Sequence, residues 1–180
     1  MEIKQHALAG VVEFIPRVFG DARGVFFESF SARVFELAGV QHEWVQDNQS
    51  SSTRGVLRGL HFQRPPHAQA KLVRVAQGRA LDVIVDLRRD SSTYGQHLAV
   101  ELDAQRYNML YVPIGFAHGF VALEDHTLFL YKCSDYYQPS AEGGLRWDDP
   151  SLNINWGIDK PNVSDKDQVL PLLEEFDSPF

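Results

Sequence analysis

The chain has 180 residues, 44% of them hydrophobic, enough for one sizeable core and short for two independent ones, so a single domain is expected. A formal net charge of -7 argues against a general nucleic-acid binder, since affinity for the phosphate backbone depends on clusters of Lys and Arg. One cysteine, Cys133, cannot form an internal disulfide. Neither a basic-then-apolar leader nor a bilayer-length apolar run is present, so a cytoplasmic protein without membrane association is expected.

No repeat of solenoid period and no low-complexity tract breaks the chain. The convincing helix is short, Ala32 to Leu37, with Ser31 as N-cap and Gly39 just past its end. Val73, Val75, Leu81, Val83, Val85 and Leu87 then fall on odd positions, and Gln77-Gly78 reads as the turn of a hairpin with one buried face. Further short strands are predicted over His97–Leu102, Met109–Val112, Gly119–Leu123 and Thr127–Cys133, separated by Asp103, Pro113, Gly115 and Glu124-Asp125. Regularly spaced short strands indicate a sandwich or barrel. The barrel is expected over about 45–135, with N-terminal strands and a Pro-, Asp-, Gly- and Trp-rich tail from Gln138 packed on it. Trp147 and Trp156 are read as anchors of that tail.

Although the chain is acidic, the stretch from Asn48 to Leu81 carries Arg54, Arg58, Arg64, Lys71, Arg74 and Arg79 and no Asp or Glu. Alternate strand residues share a face, so a subset of these cations can line a barrel and attract a diphosphate. Arg64, Arg74 and Arg79 are read individually as surface charge. His61-x-Gln63, then Lys71 with six residues before Gly78, then Pro113-x-Gly115-x-x-His118, reproduces the layout of the two cupin motifs. Metal-binding cupins usually place His, His, Glu and His where this chain has His61, Gln63, Lys71 and His118. An ammonium has no lone pair to give and Gln is a poor transition-metal ligand, so a metal-free interior suited to proton transfer and anion stabilisation is expected.

The sequence resembles the dTDP-4-dehydrorhamnose 3,5-epimerase family of cupins over nearly its whole length. The segments that carry the resemblance are Asp21–Glu28, Gln46–Asn48, Arg58–Gln63, Lys71–Arg74, Pro113–Phe120 and Tyr131–Tyr137. The resemblance implies a mainly β jelly roll with short peripheral helices, a homodimer, no metal or other cofactor, and a dTDP-linked sugar as substrate. It implies His61 as base, Tyr131 as acid and Lys71 near the ketone oxygen. It also implies that Arg23, Glu28, Gln46, Asn48, Arg58, His118, Glu142 and Lys166 contact the nucleotide-sugar. Asp167 is the carboxylate that would pair with His61, with Asp165 as the alternative.

These residue types suit the chemistry. A proton beside a ketone is weakly acidic, so its removal needs a positioned base, and an imidazole titrates near neutrality. A carboxylate fixes the imidazole's tautomer, and a cation favours the enolate. A phenol across the sugar supplies a proton to the opposite face. Against these stand bland accounts: Tyr131 as a packing residue, Arg23 and Glu28 as a surface ion pair, Gln46–Asn48 as a turn, and Phe26 and Phe27 as core, dimer contact or a ring on the base. Rival functions are an epimerase of one centre, C3 or C5, a 3,4-ketoisomerase and a non-catalytic nucleotide-sugar-binding cupin.

Overall fold

The computed structural model describes residues 1–180. Four short strands come first, β1 (Glu2–Gln5), β2 (Val12–Ile15), β3 (Val18–Asp21) and β4 (Gly24–Phe27), followed by α1 (Ala32–Leu37). The strands that follow are β5 (Gln46–Ser52), β6 (Val56–Gln63), β7 (Lys71–Gln77), β8 (Arg79–Asp86), β9 (His97–Asp103), β10 (Met109–Val112), β11 (Phe116–Ala122) and β12 (Thr127–Cys133). The tail adds β13 (Glu142–Gly144), β14 (Asn162–Val163) and α2 (Asp165–Gln168). One sheet runs β1-β2-β10-β7-β12-β5, and a second runs β13-β6-β11-β8-β9 with β14 laid parallel on β6. The architecture is a cupin jelly roll. No helix is long and apolar enough to cross a membrane.

The space between the sheets is filled rather than hollow below the site. Val73, Val75, Leu110 and Phe129 of the first sheet pack with Ala80, Ile84, Val100, Leu102 and Phe120 of the second, and the Phe120 and Phe129 rings stack at 3.9 Å. The outer face of the second sheet, with Leu57, Val83, Val85 and Val121, is covered by the tail through Leu145, Leu152 and Trp156. Trp156 is buried in this cluster with Trp147 packed against it, which anchors the tail as expected, and its indole N–H donates to the Trp147 carbonyl at 2.9 Å within the tail. On the outer face of the first sheet, Phe14, Leu72 and Met109 lie under α1, whose Phe35 stacks on Phe14 at 4.0 Å. Ser31 makes no side-chain capping bond, so this six-residue helix is held by packing rather than by its cap.

Three sequence expectations are corrected. The odd-numbered apolar run over 73–87 is not a hairpin: Gln77-Gly78 is a corner, after which β7 pairs with β10 and β12 while β8 pairs with β9 and β11. Val73 and Val75 therefore point into the barrel, whereas Val83 and Val85 point out beneath the tail. Both faces of β8 are buried, so alternation of polarity does not report its inward side. The strand expected from Gly119 begins at Phe116, because Phe116–His118 continue the ladder with β8.

Between β6 and β11 the register slips. His61 pairs with His118 and Arg58 with Phe120, so Gly59 and Leu60 on one strand stand against Gly119 alone on the other. This bulge needs glycine: a Cβ on Gly59 would stand 2.5 Å from the Gly119 Cα, and Gly59 has φ +126°.

Candidate active site

Two walls and a tail segment enclose the site. On the first sheet, Tyr131 lies opposite Asn48 and Val73, and Cys133 opposite Gln46 and Lys71, so Gln46, Asn48, Lys71, Tyr131 and Cys133 share the inward face. On the second sheet, His118 and Phe120 alternate inward beside Ile84 and Asp82 of β8. The bulge gives β6 its extra residue, so Arg58 and His61, which simple alternation would place on opposite faces, both face the cavity. The main cavity, about 600 Å³, is lined by Asn48, Arg58, His61, Lys71, His118, Tyr131, Lys166 and Asp167 among others. A side chamber of about 100 Å³ shares Asn48, His61, Lys71 and Tyr131 and adds Gln46, Cys133, Tyr137 and Glu142.

His61 Nε2 lies 2.7 Å from Asp167 Oδ1. A carboxylate only accepts, so the ring proton sits on Nε2 and the lone pair on Nδ1. Asp167 Oδ2 accepts from the Gly59 N–H at 3.2 Å, and the Asp167 N–H is capped by Ser164 Oγ at the start of α2. Burial alone would raise the Asp167 carboxyl, but these bonds, led by that to His61, hold it below the usual carboxylate range. Asp165 makes no such contact: it is an exposed first-turn residue of α2, while Asp167 is 4% exposed.

The opposite wall is tuned by burial. Desolvation pushes the Tyr131 phenol up, so it keeps its proton at neutral pH. Lys71 is pushed down by desolvation, opposed by Cys133, Asp82 and Glu142, and its Nζ stands 5.9 Å from the Tyr131 ring centroid. His118 is pushed down by burial, with Asp82 opposing, and donates Nε2–H to Asp82 Oδ2 at 2.8 Å. At the mouth, Glu142 accepts from Lys166 at 2.5 Å and from the Tyr137 hydroxyl at 3.0 Å, so Lys166 is raised and Glu142 lowered.

Ten of the twelve sequence-expected residues thus surround one connected space: His61, Tyr131, Lys71, Asp167, Gln46, Asn48, Arg58, His118, Glu142 and Lys166. Arg23 and Glu28 do not. They stand on or beside the β3–β4 hairpin, which pairs with neither large sheet, and both are exposed. Arg23 pairs with Asp21 at 2.5 Å rather than with Glu28. Gln63 is a brace: its amide donates to the carbonyls of His67 and Tyr136 and accepts from the Gln138 N–H. Sequence reasoning missed Asp82, a lone carboxylate inside the apolar run of β8, and Tyr137, whose half-exposed ring stands at the mouth. The interrupted apolar run was a legible signal for the first.

Residues 5–175 match the family described as dTDP-4-dehydrorhamnose 3,5-epimerase. The chain belongs to this family. It is 48% identical over 177 residues to the dTDP-4-dehydrorhamnose 3,5-epimerase of Salmonella typhimurium, covering 97% of each chain. It is also similar to the dTDP-6-deoxy-D-glucose-3,5-epimerase of Legionella pneumophila, whose structure is a complex with dTDP-4-keto-L-rhamnose. That likeness has a TM-score of 0.94 at 41% identity over 98% of this chain and 94% of that one. ChmJ, a 3'-monoepimerase from Streptomyces bikiniensis solved with dTDP-quinovose, matches at a TM-score of 0.88 and 35% identity, over 94% of this chain and 86% of ChmJ.

Proposed function

We propose that this epimerase inverts C3 and C5 of dTDP-4-keto-6-deoxyglucose, giving dTDP-4-keto-L-rhamnose. The carrying observation is the 2.7 Å His61–Asp167 pair on one side of a cavity that has Tyr131 and Lys71 on the facing sheet. His61 Nδ1 takes the proton beside the ketone, and the C–H electron pair moves into the C=C bond of an enolate. Negative charge gathers on O4, which the Lys71 ammonium stabilises. Asp167 stabilises the imidazolium. The Tyr131 hydroxyl then protonates the carbon from the opposite face, and solvent returns a proton to the phenolate and takes one from His61. Arg58 and Lys166 meet the diphosphate, Gln46, Asn48, His118 and Glu142 fix the sugar-nucleotide, and the Tyr137 ring offers a stacking face to the base.

We further propose that the chain is one domain acting as a homodimer in the cytoplasm, a compartment in keeping with its single buried free thiol. The β3–β4 hairpin exposes Phe19, Val25 and Phe26, an apolar surface that a second copy would cover. Such a contact would carry Arg23 and Glu28 to a partner's cavity. Incubation with dTDP-4-keto-6-deoxyglucose in deuterium oxide, read by NMR, tests the reaction. Label at C3 and C5 with inversion supports it. Label at one centre gives the restricted epimerase that the likeness to ChmJ favours as a second reading. No label refutes both.

A further inference from the structure

Asp82 is fully buried on the inward face of β8, between Ala80 and Ile84 and opposite Val100. Its Oδ2 accepts from His118 Nε2–H at 2.8 Å, while its Oδ1 has no hydrogen-bond partner within the chain. A carboxylate with an orphan oxygen in an apolar layer calls for a reason, since an uncharged amide would also accept from His118. That reason lies in the charge around Lys71. The ammonium makes no ion pair within 4.0 Å. The titratable groups that line the same space are His61 on β6, His118 on β11, Tyr131 and Cys133 on β12, and Glu142 on β13, and beneath them Asp82 on β8 is bonded to His118 from the inward face and attracts the ammonium. Burial keeps the Tyr131 phenol and the Cys133 thiol protonated and His118 neutral. Asp167 is committed to His61, and Glu142 to Lys166 and Tyr137. Asp82 is the remaining anion, and half of its carboxylate is unspent.

We propose that Asp82 is a positioning residue beneath the cavity floor: its carboxylate fixes His118 as the Nε2–H tautomer and supplies the countercharge that holds Lys71 as an ammonium. His118 then meets the sugar through the Nδ1 lone pair, as an acceptor for a hydroxyl rather than a donor to the ketone oxygen. Lys71 is left as the cationic donor to O4, a consequence that rests on the reaction proposed above. The arrangement pairs two imidazole–carboxylate dyads of different duty on adjacent strands, His61 exchanging protons and His118 holding still.

The test is NMR of the full chain carrying 15N-histidine and 13Cε-lysine, with His118→Asn and Lys71→Arg used only to assign the signals. The expected wild-type spectrum has His118 neutral and protonated on Nε2 from about pH 6 to about pH 8. In Asp82→Asn the Lys71 titration midpoint falls by about one unit or more, a tenfold or greater change in its acidity. The alkaline limb of the kcat profile moves down with it, and KM changes less than kcat. A wild-type His118 protonated on Nδ1, or a Lys71 midpoint in Asp82→Asn within about 0.3 units of wild type, overturns the proposal. Should Asp82→Asn fail to fold, the wild-type tautomer decides: Nε2–H supports, Nδ1–H refutes. These spectra are read without substrate, so they stand or fall separately from the reaction, which the deuterium experiment tests.

Discussion

Replacing Asp167 by Asn puts the base under the most direct strain. The carboxylate uses both oxygens, Oδ1 accepting from His61 at 2.7 Å and Oδ2 from the Gly59 N–H at 3.2 Å. An amide has one acceptor for these two donors. With its oxygen toward His61, its NH2 group confronts the Gly59 N–H. Turned round, its NH2 group faces His61 Nε2 and drives the ring proton to Nδ1, which removes the lone pair proposed to act as base. Even the better orientation forfeits the charge that stabilises the imidazolium. A charge-assisted hydrogen bond contributes about 1.5–3 kcal/mol, or about 10- to 150-fold in rate, and the inverted tautomer adds to that loss. The expected fall in kcat is therefore about 10²–10³-fold, with KM within about threefold. Deuterium incorporation at C3 and C5 under saturating substrate measures it, with circular dichroism to verify folding. An Asp167→Asn enzyme within about fivefold of the wild-type kcat would refute the dyad's role.

Tyr131→Phe removes the proposed acid and leaves the proposed base, so deuterium exchange at the carbon should outlast inversion by about tenfold or more, read by NMR of recovered substrate and product; equal losses of both would count against Tyr131 as the acid. Asp86, buried beside Arg88, Ser91 and Thr93, would be raised by desolvation, but hydrogen bonds from those three residues lower it to about 2 from an ordinary 3.8. Its folded pKa is depressed, so its contribution of about 2 kcal/mol is present above about pH 4 and lost as pH falls towards 2. Urea unfolding should show Asp86→Asn destabilised at pH 7 and the gap to wild type narrowing by about that amount in acid; a pH-independent gap contradicts the reasoning. Phe26→Asp on the β3–β4 hairpin should yield monomers by light scattering and raise KM about tenfold or more; a fully active dimer would sink the proposed hairpin contact.

The sequence alone carried the strand-rich class, because short apolar segments bounded by Gly, Pro and Asp are local signals. It also carried the spacing of His61, Gln63, Lys71 and His118, and with the family resemblance it named ten residues that line one space. Tertiary structure decided the rest. Alternation puts Arg58 and His61 on opposite faces, and only the Gly59 bulge against Gly119 brings both inward. The hydrophobic pattern of 73–87 says nothing of the corner at Gly78, since a strand buried on both faces looks alike from either side. Asp165 and Asp167 are equivalent as letters, and the turn of α2 chooses between them by aiming one at His61 and the other at solvent. Arg23 matches the family motif yet stands away from its own chain's cavity. A sequence motif reports which side chains are present, whereas the register between distant strands, set by packing, decides which of them meet.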